Sequence, residues 1–112
     1  MHELALTMDL VDAISEEMKR HPGKRVRRVV LEIGKLSAIL PDAIRFCFEN
    51  VGDDSIIGKA RLEIIEPVGI GVCKRCGRKT QTDVLYAVCS CGSAELDWQS
   101  GCEMKLRFLE VE

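Results

Sequence analysis

Two sets of residues in this 112-residue chain have the types and spacing of metal ligands. The first is Met1-His2-Glu3. A histidine at position 2 lets the amine of Met1, the backbone nitrogen of His2 and its imidazole close onto one ion through two fused chelate rings. Such a nitrogen-rich, near-planar set suits Ni(II) or Cu(II) better than zinc. Histidine is a large second residue, so Met1 is expected to escape trimming. Two letters are a weak motif, and the rest of the chain decides their weight.

The second set is stronger. Four of the six cysteines stand in two close pairs, Cys73/Cys76 and Cys89/Cys91, in the pattern C-x2-C-G, twelve residues, then C-x-C-G. A close pair in a tight turn presents both sulfurs to one ion. Gly77 and Gly92 follow the pairs, and glycine tolerates the positive φ that turns backbone N–H groups toward thiolates. Four thiolates suit tetrahedral zinc and leave no open position for chemistry, so the expected role is structural. The same set also suits iron in a rubredoxin-like site. The second pair is one residue shorter than the usual spacing. Cys102 is the nearest spare thiol, and it would replace Cys89 or Cys91 if the tighter loop cannot deliver both. Cys47 falls on an apolar helical stripe and reads as packing.

The cysteine segment, Val72 to Gly101, is about 30 residues long, too short to fold on hydrophobic burial alone. The elements around it must position both sets. Residues 3 to 20 read as an amphipathic helix with Leu4, Met8, Val11, Ile14 and Met18 on one face. Acidic residues at its start and Lys19-Arg20 at its end match the helix dipole, and Pro22-Gly23 stops it. His2 thus lies at the mouth of a helix, where early N–H groups lack partners. His21, at the other end, reads as a partner for the dipole. Lys24 to Lys35 reads as a strand, although Val30 makes its outer face less than cleanly polar. Its basic run Lys24–Arg28 reads as a solvated strand edge rather than a phosphate patch. Pro41 opens a second helix through Ile44, Cys47, Phe48 and Val51. A polar loop from Asp53 to Gly58 leads to a second strand, Ala60 to Glu66, closed by Pro67. Gly69 and Gly71 read as a flexible entry to the cysteine segment, and Glu103 to Val111 as a strand returning to the first sheet.

Charge is nearly balanced, with 16 Lys+Arg against 18 Asp+Glu, which leans against a nucleic-acid partner. No run of 18 apolar residues predicts a membrane span, and the acidic start is unlike a secretory signal. Close cysteine pairs in a cytoplasmic chain point to metal rather than disulfides. No phosphate loop or nucleophile–base pair is visible, so an enzyme is not expected. The competing reading is a zinc-ribbon module that binds RNA or protein.

Beyond the single motifs, Met1-His2-Glu3, Leu31-Glu32-Ile33-Gly34-Lys35-Leu36-Ser37, Pro41 with Ala43, Arg45-Phe46-Cys47-Phe48, the C-x-x-C-G module, Cys91-Gly92-Ser93 and Leu109-Glu110-Val111-Glu112 occur in one order. Together they resemble the hydrogenase nickel-insertion accessory proteins of the HypA/HybF family across the whole chain. The resemblance implies an α+β fold, two helices packed on a three-stranded sheet with an inserted four-cysteine zinc module. It implies a nickel-binding domain over residues 1–70, completed by a strand in 102–112, and a zinc module over 71–101. It implies one Ni(II) as cargo on Met1, His2 and Glu3, and one structural Zn(II) on Cys73, Cys76, Cys89 and Cys91. The implied partners are a nickel-handling GTPase of the HypB type and the large subunit of [NiFe]-hydrogenase, some members also serving urease. Two departures stand out. The second pair is C-x-C where the family usually has C-x-x-C, and Leu40 precedes Pro41 where many members have an acid. Asp42 is then the carboxylate available to complete a nickel shell.

Overall fold

The computed structural model describes residues 2–51 and 57–112. Met1 and most of the expected 53–58 loop lie outside them. The elements are α1 (His2–Met18), β1 (Val26–Ile33), α2 (Pro41–Val51), β2 (Arg61–Ile65), β3 (Gly69–Cys73), β4 (Lys79–Thr82), β5 (Leu96–Ser100) and β6 (Met104–Val111). The strands form two three-stranded sheets, ordered β2-β1-β6 and β4-β3-β5. The fold is therefore the expected α+β arrangement, with β6 returning to the first sheet after the cysteine segment. Arg25 and Glu112 exchange both backbone hydrogen bonds at 3.0 Å, the signature of an antiparallel pair.

The chain divides into two compact units. The first holds α1, α2, most of the β2-β1-β6 sheet and the chain's end. Its core is hydrocarbon: Ile14, Val29, Leu31, Ile44 and Ile57 are essentially inaccessible, and Cys47 and Phe48 are buried as well. Val29, Val30 and Leu31 are buried in succession, because β1 is the central strand and both its faces are covered there.

The inward face of α1 differs from the expected stripe. Thr7, Leu10, Ile14 and Met18 are buried, whereas Leu4 and Met8 are 42% and 47% exposed. A buried threonine is tolerated because its Oγ1 donates to the Glu3 carbonyl at 2.8 Å, within its own helix. The basic run of β1 is ion-paired across the sheet. Arg25 meets Glu112 at 3.5 Å, Arg27 meets Glu110 at 3.1 Å, and Arg28 bridges Glu63 at 2.7 Å and Glu110 at 3.0 Å. The Arg28 guanidinium also lies 5.2 Å from the Phe108 ring centre.

The second unit comprises residues 32–38 and 65–105. Gly69 and Gly71 are not a flexible entry, as the sequence suggested; they lie within β3, the middle strand of its sheet. Glycine serves close approach here. A Cβ on Gly71 would press on Trp98 and Leu96 of β5, and one on Gly69 would overlap the Leu36 side chain. Gly101 sits at φ +85°, and a Cβ there would stand 2.6 Å from the Val68 carbonyl oxygen. Its own carbonyl accepts from the Leu36 N–H at 2.8 Å.

Candidate metal centre

The cysteine site is built by two turns. In the first, β3 delivers Cys73 and the chain reverses through Cys76. The Gly77 N–H donates to the Cys73 carbonyl at 2.9 Å, with Gly77 at φ +78°. In the second, Cys89 and Cys91 flank Ser90, the Gly92 N–H donates to the Cys89 carbonyl at 2.8 Å, and Gly92 takes φ +93°. Buried Ser93 secures this turn. Its carbonyl accepts from the Cys89 N–H at 2.9 Å, and its Oγ accepts from the Glu95 N–H at 3.1 Å. Arg78 donates to Ser90 Oγ at 3.0 Å and ties one turn to the other. Both glycines thus take positive φ as expected, but their N–H groups go to carbonyls; N–H groups of other residues approach the sulfurs, among them that of Cys76, 3.5 Å from Cys73 Sγ.

The sulfurs of Cys73, Cys76, Cys89 and Cys91 all lie within 4.8 Å of one another. Cys73 Sγ is 3.6 Å from Cys91 Sγ, and Cys76 Sγ is 3.4 Å from Cys89 Sγ. Sulfurs bound to one zinc ion at ~2.3 Å lie about 3.8 Å apart at tetrahedral angles. The set fits such an ion, and the shorter C-x-C loop still delivers both of its sulfurs. Cys102 is outside the group; it is exposed, with Sγ 3.9 Å from the Ser100 carbonyl.

The electrostatics prepare thiolates unevenly. The Cys76 N–H holds the Cys73 thiol down to about 6, against the opposing effect of burial. The Cys91 N–H likewise lowers Cys89. Cys76 is pushed up to about 11: the Arg78 N–H favours its thiolate, but burial and the neighbouring thiols of Cys89, Cys73 and Cys91 outweigh it. A dication reverses that penalty by neutralising the shared negative charge.

The N-terminal candidates are arranged differently. His2 is exposed and is the first residue of α1. Glu3 is half-buried, and its Oε2 accepts from the Leu40 N–H at 3.4 Å. Asp42 is exposed and stands 3.9 Å from Arg45 Nε. Among the described residues, the cysteine set is the only group of three or more His, Cys, Asp or Glu side chains within reach of one ion. The side chains of His2, Glu3 and Asp42 therefore do not converge. His21 lies 3.6 Å from Glu17, one helical turn away.

Sequence reasoning passed over the Ser93 brace and the β4-β3-β5 sheet. The alternation of Leu96 and Trp98 with Asp97 and Gln99 was the signal available for β5.

Comparison with known proteins agrees with this architecture. The family model described as hydrogenase/urease nickel incorporation, metallochaperone, hypA matches residues 1–111. A hydrogenase maturation factor HypA of Nostoc punctiforme is 45% identical over 112 residues, covering 100% of this chain and 96% of that protein. One from Dechloromonas aromatica is 40% identical over 113 residues, with 100% of both chains covered. The solution structure of the Ni metallochaperone HypA from Helicobacter pylori superposes with a TM-score of 0.70 at 28% identity, covering 96% of this chain and 95% of that one. A second solution structure, of a HypA protein, gives a TM-score of 0.73 at 31% identity, covering 98% and 95%.

Proposed function

The chain belongs to the HypA family of hydrogenase and urease nickel-incorporation metallochaperones, and from that premise we propose that it carries Ni(II) on Met1, His2 and Glu3. It passes the ion to the large subunit of a [NiFe]-hydrogenase, or into urease maturation, in concert with a nickel-handling GTPase in the cytoplasm. Zn(II) on Cys73, Cys76, Cys89 and Cys91 holds the second unit folded. On this reading residues 1–70 and 102–112 serve nickel and residues 71–101 serve zinc. The protein is an accessory factor and not a catalyst.

The observation that carries the nickel reading is the start of α1 at an exposed His2. The first N–H groups of a helix have no intrahelical acceptor. The backbone nitrogens of His2 and Glu3 are thus uncommitted to helix hydrogen bonds, and a chelate built on them breaks none. The positive end of the helix dipole works against a cation. Nitrogens that lose protons on binding offset that cost, which a neutral ligand would not. The scattered carboxylates of Glu3 and Asp42 leave the amine, backbone and imidazole as the main donors. Such a site is exposed, so a partner can strip its ligands one at a time, as delivery requires.

Nickel titration of the native chain, a His2→Ala variant and a version extended by a few residues before Met1 tests this. One equivalent of nickel binds the native chain, and both changes abolish that binding. Affinity falls as pH drops from about 8 to 6, because protons compete for an amine and an imidazole. Equal binding by the extended version rules out the amine-anchored site.

A further inference from the structure

The first cysteine turn carries a second feature. Lys74, Arg75, Arg78 and Lys79 are all exposed, with no acid between Val72 and Thr82. In the first unit, Arg25, Arg27, Arg28, Arg45 and Arg61 each have a carboxylate partner within 4.0 Å. Among the described residues, none of the four cations on the turn has one; Arg78 instead donates to Ser90 Oγ. A zinc–tetrathiolate carries a formal charge of −2, so it offsets only part of this fourfold positive charge.

Apolar surface stands on the same cluster. After β4 the chain turns through Leu85, Tyr86 and Val88, which are 58%, 83% and 52% exposed. It then enters Cys89, whose sulfur is 3.4 Å from that of Cys76. The cationic turn and the apolar loop are thus anchored through touching sulfurs. Among the described residues, Lys74, Arg75 and Lys79 make no ion pair, Arg78 makes only its side-chain bond to Ser90, and the three apolar side chains are each more than half exposed. Exposed apolar groups beside unpaired cations are the composition of a recognition surface.

We infer that the outer end of the cysteine module docks an acidic segment of a partner protein. Carboxylates of that segment pair with Lys74, Arg75 and Lys79, and an apolar side chain of it packs on Leu85, Tyr86 and Val88. Two observations favour a polypeptide over a nucleic acid. The chain's net charge is −2, whereas nucleic-acid modules are usually basic overall. Two of the three exposed apolar residues are aliphatic, with no flat face for a base to stack on. The metal-held turns present the surface already ordered, so docking costs little conformational entropy. The inference does not depend on the nickel site.

The test is fluorescence anisotropy with the full zinc-loaded chain. Three labelled probes are compared: a short peptide of Glu and Asp around a central Leu-Ile pair, the same peptide with Gln and Asn, and a single-stranded RNA of similar length. The acidic peptide binds at least about tenfold more tightly than the amide peptide, and loses about tenfold or more between about 50 and 500 mM salt. Lys74→Glu/Arg75→Glu/Lys79→Glu removes binding while zinc stays at one per chain; Leu85→Ser/Tyr86→Ser weakens it about threefold or more. Equal binding of the two peptides, preference for RNA, or affinity unchanged in either variant overturns the proposal. Should the triple variant lose zinc, the peptide comparison and salt series on the native chain decide the matter alone.

Discussion

The two units of this molecule are held together by different physics. The first is a hydrocarbon core, with Leu10, Ile14, Met18, Val29, Val30, Leu31, Ile44 and Phe48 all buried. Each such side chain contributes ~1.5–3 kcal/mol on burial. The second has a much smaller core: its buried side chains of apolar type are Ile33, Leu36, Cys73 and Cys89, two of them members of the cysteine cluster. The charges follow the same division. Cations of the first unit are mostly spent on internal pairs, and those of the cysteine turn face solvent. On the proposed reading, the unit that folds on hydrocarbon leaves its exposed tip for exchangeable cargo, and the unit built round the cysteines keeps its metal.

The largest expected effect breaks the second unit alone. Cys73→Ser, or removal of zinc by a strong chelator, forfeits much of the ~10–16 kcal/mol apparent binding energy of such sites. Hydrogen exchange over 69–100 then becomes fast, while α1 and β1 keep their protection. Acid works in the same direction, because protons compete with a metal for thiolates. In the metal-free cluster the Cys73 thiol is held down to about 6, so its contribution is complete only above the ordinary thiol value, shrinks as pH falls below that value and is gone once pH has passed through about 6. Global loss of protection on zinc removal contradicts the division. The converse change, Ile14→Ala, opens a cavity in the first unit and costs ~2–5 kcal/mol, read by chemical denaturation. Zinc content stays at one per chain.

Gly101→Ala strains a φ of +85° and drives a Cβ against the Val68 carbonyl and the Gly69 backbone. The expected loss is ~1–3 kcal/mol, with no loss of helical circular dichroism. The smallest effect is that of Arg28→Ala. It removes two ion pairs and a ring contact, but on a partly exposed sheet face, so ~1 kcal/mol or less is expected in a thermal melt. A loss as large as that of Ile14→Ala would mean that ion pairs, and not hydrocarbon, hold the first unit.

What could be read directly from the chain was local chemistry. The C-x2-C and C-x-C pairs are legible because each spacing is local, whereas the contacts between them, Cys73 with Cys91 and Cys76 with Cys89, depend on the fold that brings the two turns together. The ion pairs of Arg27 and Arg28 are not local: the basic run reads as a solvated strand edge, but β1 is the central strand and its arginines meet Glu63 of β2 and Glu110 of β6. The sheet of the second unit was harder to see. Gly69–Cys73 contains two glycines and Lys79–Thr82 has no apolar side chain, so neither carries the alternation that marks a strand. These strands are held by backbone pairing beside a cysteine cluster, which leaves little trace in hydrophobic periodicity. The inward face of α1 departs from the apolar stripe for a related reason. Thr7 turns inward by bonding its own helix, and Leu4 and Met8 stay exposed. Patterning alone ranks leucine above threonine for such a place.

One measurement tests most directly that the two metals have separate homes. X-ray absorption is recorded at the nickel and zinc edges of the chain loaded with one equivalent of each. The expected result is a nickel shell of nitrogen and oxygen only, and a zinc shell of four sulfurs near ~2.3 Å. Sulfur in the nickel shell, or nitrogen in place of a zinc-bound sulfur, would contradict it.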